Sequence, residues 1–203
     1  MKILCISDRV EDKLYGPRLQ EYAEGVEVVI SCGDLPFEYL EYIVTFLGVP
    51  VYYVLGNHDP DEYGKEYPGG CTPLDGEVVE IEGIPVAGLS GSMLYSGGPN
   101  QYSEGHMRRK ARALSLKIWW HKLRGKPPPR LFVAHSPPFG LGDRTDLAHI
   151  GFESFLPLID RYEPEWWLHG HVHLYGPNQA EQRRQRRGET KIFNVYWHQF
   201  LEV

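Results

Sequence analysis

The 203-residue chain has only three cysteines, Cys5, Cys32 and Cys71. An odd count at no metal-site spacing excludes a disulfide framework and a thiolate zinc site, and reduced thiols are the expectation. No apolar run is long enough to span a bilayer. The opening "MKILCISD" lacks the basic region, long apolar stretch and cleavage site of a signal peptide. A cytoplasmic protein without membrane association is therefore expected. Positive charge is not in excess either: 21 Lys and Arg against 27 Asp and Glu give a net charge of −6. That balance makes no general electrostatic case for nucleic acid or an anionic membrane as partner. The one charge run, "EQRRQRRGE" at 181–189, has no aromatic residues interleaved for base stacking and reads as a solvated loop joining two strands. There are no internal repeats. "GKPPPR" at 125–130 is a stiff connection, so one domain over residues 1–203 is expected.

What the chain does have is one design used five times: a short β-rich run followed at once by polar, glycine-rich sequence. The runs are "KILCIS" into Asp8, "VEVVISCGD" into Asp34, "VPVYYVLGNHD" into Asn57 and His58, "RLFVAHSPP" into His135, and "EWWLHGHVH" into His171 and His173. They are nearly continuous in apolar residues, as strands covered on both faces require. Amphipathic helical patterns lie between them, at about Phe37–Leu47, Glu104–Leu123 and Phe152–Tyr162. The alternation predicts an α/β fold with a largely parallel sheet. "EVVEIEGIPVAGLS" predicts a hairpin turning at Glu82-Gly83. "KIFNVYWHQFLEV" predicts one or two closing strands and a second sheet packed on the first.

Ligands in such folds bind beyond the carboxyl ends of the strands. All five strand ends deliver metal-competent groups to that edge: Asp8, Asp34, Asn57, His58, His135, His171 and His173. Singly, each has an ordinary reading as a turn former, a helix cap or a hydrogen-bonded core histidine. Seven at matching positions do not. In "GHVH" both imidazoles can leave an extended segment on one side while Val172 packs away. Gly170 lets the backbone bend tightly beside a bulky ion. His169 lies within the strand and reads as a supporting core histidine.

Asp8, "GD" at 33–34, "GNHD" at 56–59, "AHSPP" at 134–138 and "GHVH" at 170–173 together resemble the ordered motif set of the calcineurin-like metallophosphoesterases. The resemblance runs from Asp8 to His173. It implies two β-sheets packed as a sandwich flanked by helices, with two divalent metal ions at the strand ends. By position, it makes Asp34 the bridge between the ions. Asn57, His135 and His171 complete the second site, and Asp8 and His173 belong to the first. His58 would meet the phosphate and protonate or stabilise the leaving oxygen, with Asp59 orienting it. Two ions about 3.5–4 Å apart neutralise phosphoester charge and activate a water. Nitrogen and oxygen donors suit Mn²⁺, Fe²⁺, Zn²⁺, Co²⁺ or Ni²⁺ without choosing among them. The implied partner is a small phosphoester or nucleotide, monoester or diester.

The family's first motif is D-x-H, and here it reads Asp8-Arg9-Val10. Residues i and i+2 of a pleated strand share a face, so Val10 is expected where a ligand is missing. The first site should then hold its ion weakly, with Glu11 or Asp12 as potential replacements. A non-catalytic scaffold of the same fold is the main alternative, and Val10 favours it; retention of His58 argues against it. A serine hydrolase is a poorer fit, because "GLSGS" at 88–92 places Ser92 where the nucleophile elbow needs glycine. Two loops could reach the site: 139–154, carrying Asp143, Arg144, Asp146 and His149, and the glycine-rich 90–104.

Overall fold

A computed structural model describes residues 1–60, 67–175 and 177–203. The strands in chain order are β1 (Lys2–Ser7), β2 (Val28–Ser31), β3 (Val51–Tyr53), β4 (Thr72–Pro73), β5 (Val78–Ile81), β6 (Ile84–Leu89), β7 (Ser92–Met93), β8 (Gln101–Tyr102), β9 (Leu131–Ala134), β10 (Trp166–His169), β11 (Arg184–Arg187), β12 (Thr190–Asn194) and β13 (Trp197–Glu202). The helices are α1 (Leu19–Tyr22), α2 (Phe37–Leu47), α3 (Glu104–Leu123), α4 (Leu156–Tyr162) and α5 (Gln179–Gln182). One sheet has the order β13-β1-β2-β3-β4 and the other β11-β12-β10-β9-β6-β5, with β7 and β8 forming a separate ribbon.

Strand alternation builds the layers. Ile3 and Cys5 of β1, with Val28 and Ile30 of β2, join Val86, Leu131, Val133, Leu168 and Phe193 of the other sheet in one buried cluster. The intervening Leu4, Ile6 and Val29 point the other way, onto Leu19, Leu40 and Ile43 of α1 and α2. Phe132, Ala134 and Trp167 likewise leave the second sheet outward, to meet Met107, Leu114, Ile118 and Ile159 of α3 and α4. A period of two therefore feeds a core between the sheets and a helix layer outside each. This is the helix-flanked two-sheet sandwich, and it explains why the strand runs are apolar throughout.

Parallel pairing holds at the centre of each sheet, β1-β2-β3-β4 and β12-β10-β9-β6. The antiparallel β13, β11 and β5 close three of the four edges and the parallel β4 the other, so the sheets are mixed rather than simply parallel. The hairpin turns at Glu82-Gly83 with both residues at left-handed φ (47° and 80°), as a two-residue turn between twisted strands demands. The closing segment divides: β12 completes one sheet and β13 crosses to edge the other. The helix expected over 152–162 begins as a 3₁₀ turn, Glu153–Phe155, before α4.

Residues 181–189 are a correction. They form the end of α5 and the edge strand β11, paired antiparallel with β12. An edge strand needs a solvated outer rim, and the exposed arginines supply it. Arg187 is in addition clamped by both oxygens of Asp160, at 2.6 and 2.7 Å.

A candidate metal centre at the strand ends

β1, β2, β9 and β10 end side by side where the two sheets meet, and their following residues turn sharply. Asp8, Asp34 and His171 all take left-handed φ, at 64°, 57° and 64°. That conformation costs a non-glycine residue on the order of 1 kcal/mol or more, and clusters where surrounding structure enforces it. Here hydrogen bonds between the loops enforce it. The Asp8 N–H donates to the Gly33 carbonyl at 3.1 Å. The His171 N–H donates to both Asp8 carboxylate oxygens at 3.0 Å, and the His58 N–H donates to Asp34 Oδ1 at 2.8 Å.

These turns bring Asp34, His135 and His171 within 4.8 Å of one another, measured between ligating atoms. Asn57 joins them, its Oδ1 lying 3.1 Å from His135 Nε2. The donors are prepared for a cation. His135 Nδ1 donates to the Cys32 carbonyl at 2.7 Å, which turns Nε2 toward Asp34 Oδ2, 3.4 Å away. His171 Nε2 donates to the Ala148 carbonyl at 2.7 Å, leaving Nδ1 as its lone-pair nitrogen. Anchoring one ring nitrogen on a carbonyl is how metal-ligating histidines are oriented. The buried carboxylate, amide oxygen and two imidazoles therefore fit a divalent transition metal.

Electrostatics within the cluster follow from burial and contact. Burial alone would lower the pKa of His135, but the carboxylates of Asp34 and Asp8 outweigh it and raise the value to about 9. Burial works against ionising Asp34 too, yet His135 and the His58 N–H bring it to about 2. Without a metal, His135 is therefore the protonated partner of Asp34 at neutral pH, with Nε2 directed at Asp34 and Asn57. His171 goes the opposite way: burial and then the charge of His135 lower it to about 3, so it is neutral with a free lone pair. His169 is buried and brought to about 4, mainly by burial, with Nδ1 on the Gly170 carbonyl, as a supporting core histidine should be.

The remaining pair is looser. His173 Nε2 lies 3.6 Å from Asp8 Oδ1, with Nδ1 on the Tyr175 hydroxyl and the ring stacked on Tyr196. The Asp8 side chain is 1% exposed and that of His173 43%. Val10 is half-buried and supplies no ligand atom. The pleat ends at Ser7, the left-handed Asp8 redirects the chain, and Val10 packs against the α1–α2 cluster. Glu11 is committed elsewhere, with Oε1 accepting from the Lys13 N–H at 3.0 Å and Oε2 3.3 Å from His198.

His58 is exposed on the wall of a cleft of about 680 Å³ that also includes Asp34, Glu38, Glu41 and Tyr67. Asp59, beside His58 in sequence, braces the backbone. Its buried carboxylate accepts from the N–H groups of Asp34 (2.8 Å), Leu35 (3.1 Å) and Gly56 (2.8 Å), tying two strand-end loops together. The loop 139–154 lies across the "GHVH" segment: Arg144 donates to the His173 carbonyl, and the His149 ring sits 5.2 Å from that of His171. His149 is held by Asp146 at 2.7 Å, whereas Asp143 only caps the Gly151 N–H. One contact has no signal in the motifs. The Tyr95 hydroxyl accepts from Asn57 Nδ2 at 3.0 Å.

Residues 1–175 match the family model of the calcineurin-like phosphoesterases. No curated protein matches the chain significantly. One solved structure aligns with 98% of this chain and 94% of its own at 18% identity and a TM-score of 0.66. The protein TT1561 of Thermus thermophilus aligns with 96% of this chain and 88% of its own at 17% identity and a TM-score of 0.63. Vacuolar Protein Sorting 29 from Cryptosporidium parvum aligns with 96% of this chain and 72% of its own at 15% identity and a TM-score of 0.45. With the family model spanning most of the chain and its motif residues meeting at the strand ends, the protein belongs to the calcineurin-like phosphoesterase family.

Proposed function

We propose that this protein is a metal-dependent phosphoesterase that hydrolyses a small phosphomonoester, phosphodiester or nucleotide. The observation that supports it most is the convergence of Asp34, Asn57, His135 and His171, with each imidazole turned by a backbone carbonyl. This set would hold one divalent ion. Asp8, His173 and a shared Asp34 would hold a second one more weakly, since Val10 offers no ligand atom. Bound ions of this kind neutralise phosphoryl charge and make water a nucleophile at neutral pH. The protein's own part is to hold the donors under strain, to keep Asp34 ionised, and to offer His58 on the cleft as the group that protonates the leaving oxygen. The acidic Glu38 and Glu41 on that cleft favour a compact substrate over a polyanionic strand. A binding scaffold is the second reading, supported by the sparse Asp8–His173 pair.

The test is turnover of bis-p-nitrophenyl phosphate and p-nitrophenyl phosphate before and after chelation, with Mn²⁺ added back. Chelation should abolish hydrolysis and Mn²⁺ should restore it. His58→Ala should then slow an alkyl phosphoester about a hundredfold or more while sparing the p-nitrophenyl esters, whose leaving group needs no proton. Unchanged turnover in stripped protein would refute the metal mechanism. Absence of turnover with metal bound would favour the scaffold.

A further inference from the structure

We infer that Tyr95 is a positioning residue for the metal centre, acting through the side-chain amide of Asn57. The inference rests on the reading of Asn57 as a metal ligand. An amide offers two nearly isosteric ends, and only Oδ1 can ligate. The Tyr95 hydroxyl lies 3.0 Å from Asn57 Nδ2, so Nδ2–H donates to it and Oδ1 is turned toward His135 Nε2 at 3.1 Å. The same bond persists when the amide oxygen donates electron density to a cation, and it strengthens as the amide polarises. Supporting groups of this kind typically govern metal affinity about ten- to a hundredfold.

The segment that carries Tyr95 is built to hold it there. Gln101 Oε1 accepts from the N–H groups of Tyr95 (3.2 Å), Ser96 (3.0 Å) and Gly97 (3.2 Å), while its Nε2 donates to the Ser96 hydroxyl at 2.9 Å. One side chain thus fixes the whole turn. Asn100, buried and at a left-handed φ of 49°, bolts the turn to the "GNHD" loop through its Nδ2, which reaches the carbonyls of Gly56 (2.9 Å) and Pro60 (3.1 Å). The Gly91 N–H donates to the Leu55 carbonyl at 2.8 Å, and the Leu55 N–H to the Ser90 hydroxyl at 2.9 Å. Both ends of the turn are therefore fastened to the segment after β3 that carries Asn57. These residues hold nothing else in common with the phosphate chemistry, and their arrangement makes sense as a mount for one hydroxyl.

Tyr95→Phe removes that hydroxyl and little else. Calorimetric titration of metal-stripped protein with Mn²⁺ should show the tighter event weakened at least tenfold, with the melting temperature unchanged. Gln101→Ala, which frees the turn while leaving the Tyr95 hydroxyl in place, should weaken it in the same direction. In an Asn57→Ala background Tyr95→Phe should have no further effect, since the amide it steers is gone. A loss that persists in that background, or an affinity within twofold of wild type, would overturn the inference. The metal-free protein supplies an independent readout: the Asn57 side-chain NH₂ resonances should shift and exchange faster in Tyr95→Phe. If wild type binds no metal the phosphoesterase reading fails, and this resonance test still decides whether Tyr95 orients Asn57.

Discussion

Asp34→Asn is expected to lower metal-dependent phosphoester hydrolysis about a thousandfold while leaving the protein folded, the largest loss of any single side-chain change at the site. Three features set that magnitude. Asp34 faces His135 at 3.4 Å, accepts from the His58 N–H at 2.8 Å, and is held ionised down to a pKa of about 2. It is also the residue that both sets of donors would share. Asparagine keeps the shape and one acceptor for the His58 N–H, so the loop geometry survives. It removes the negative charge, and with it the counter-ion that raises His135 to about 9. The His135 pKa should fall in the variant, visible by NMR titration of its ring in metal-free protein. A variant that keeps more than a tenth of wild-type turnover would contradict the role given to this carboxylate.

The second large effect falls on a residue with no chemistry of its own. A Cβ at Gly56 would stand 2.0 Å from Asp34 Oδ1 and 2.6 Å from His135 Cε1, distances no real contact tolerates. The His135 side chain is fully buried and that of Asp34 nearly so, which leaves neither group free to move aside. Gly56→Ala should therefore displace two donors at once. The expected outcome is a loss of about 3 kcal/mol from overpacking. That corresponds to a fall of roughly 6–12 °C in melting temperature for a chain of this size, together with loss of the tighter metal event. Gly105→Ala is the control, since a Cβ there meets nothing within 4 Å and the residue lies in the first turn of α3. That change should be neutral or slightly stabilising, because it removes chain freedom only from the unfolded state. Equal melting temperatures for the two variants would show that the close approach of Gly56 is not structural.

Much of this is legible in the residues. A strand ends where its apolar run meets Gly, Asp or Asn, and that rule places β1, β2, β3, β9 and β10 with their polar termini on one edge. The helices at 37–47 and 104–123 can be read to the residue, because a proline or serine opens each and the periodic pattern then fails. The direction of Val10 cannot be read, because it depends on whether the pleat survives Asp8; aspartate tolerates a left-handed φ better than most residues, but only the surrounding loops decide whether it is adopted. The strand β11 is hidden for a related reason. Alternating Gln and Arg suits a loop and a solvated sheet edge equally, and only the partner β12 decides. Sequence order pairs Asp59 with its neighbour His58, whereas its carboxylate spans 24 and 25 residues to the N–H groups of Leu35 and Asp34. Tyr95 and Asn57 are 38 residues apart, and nothing in either segment points to the other.

The direct test of the metal centre is calorimetric titration of metal-stripped wild type with Mn²⁺, repeated in buffers of different ionisation heat. Two unequal events are predicted, the tighter belonging to Asp34, Asn57, His135 and His171, the weaker to the Asp8–His173 side. Because His135 carries its Nε2 proton up to about pH 9, the tighter event should release close to one proton per ion at pH 7. Its affinity should rise about tenfold per pH unit until pH 9 and then level off. Two events of equal strength, or a tight event that releases no proton at pH 7, would contradict the account.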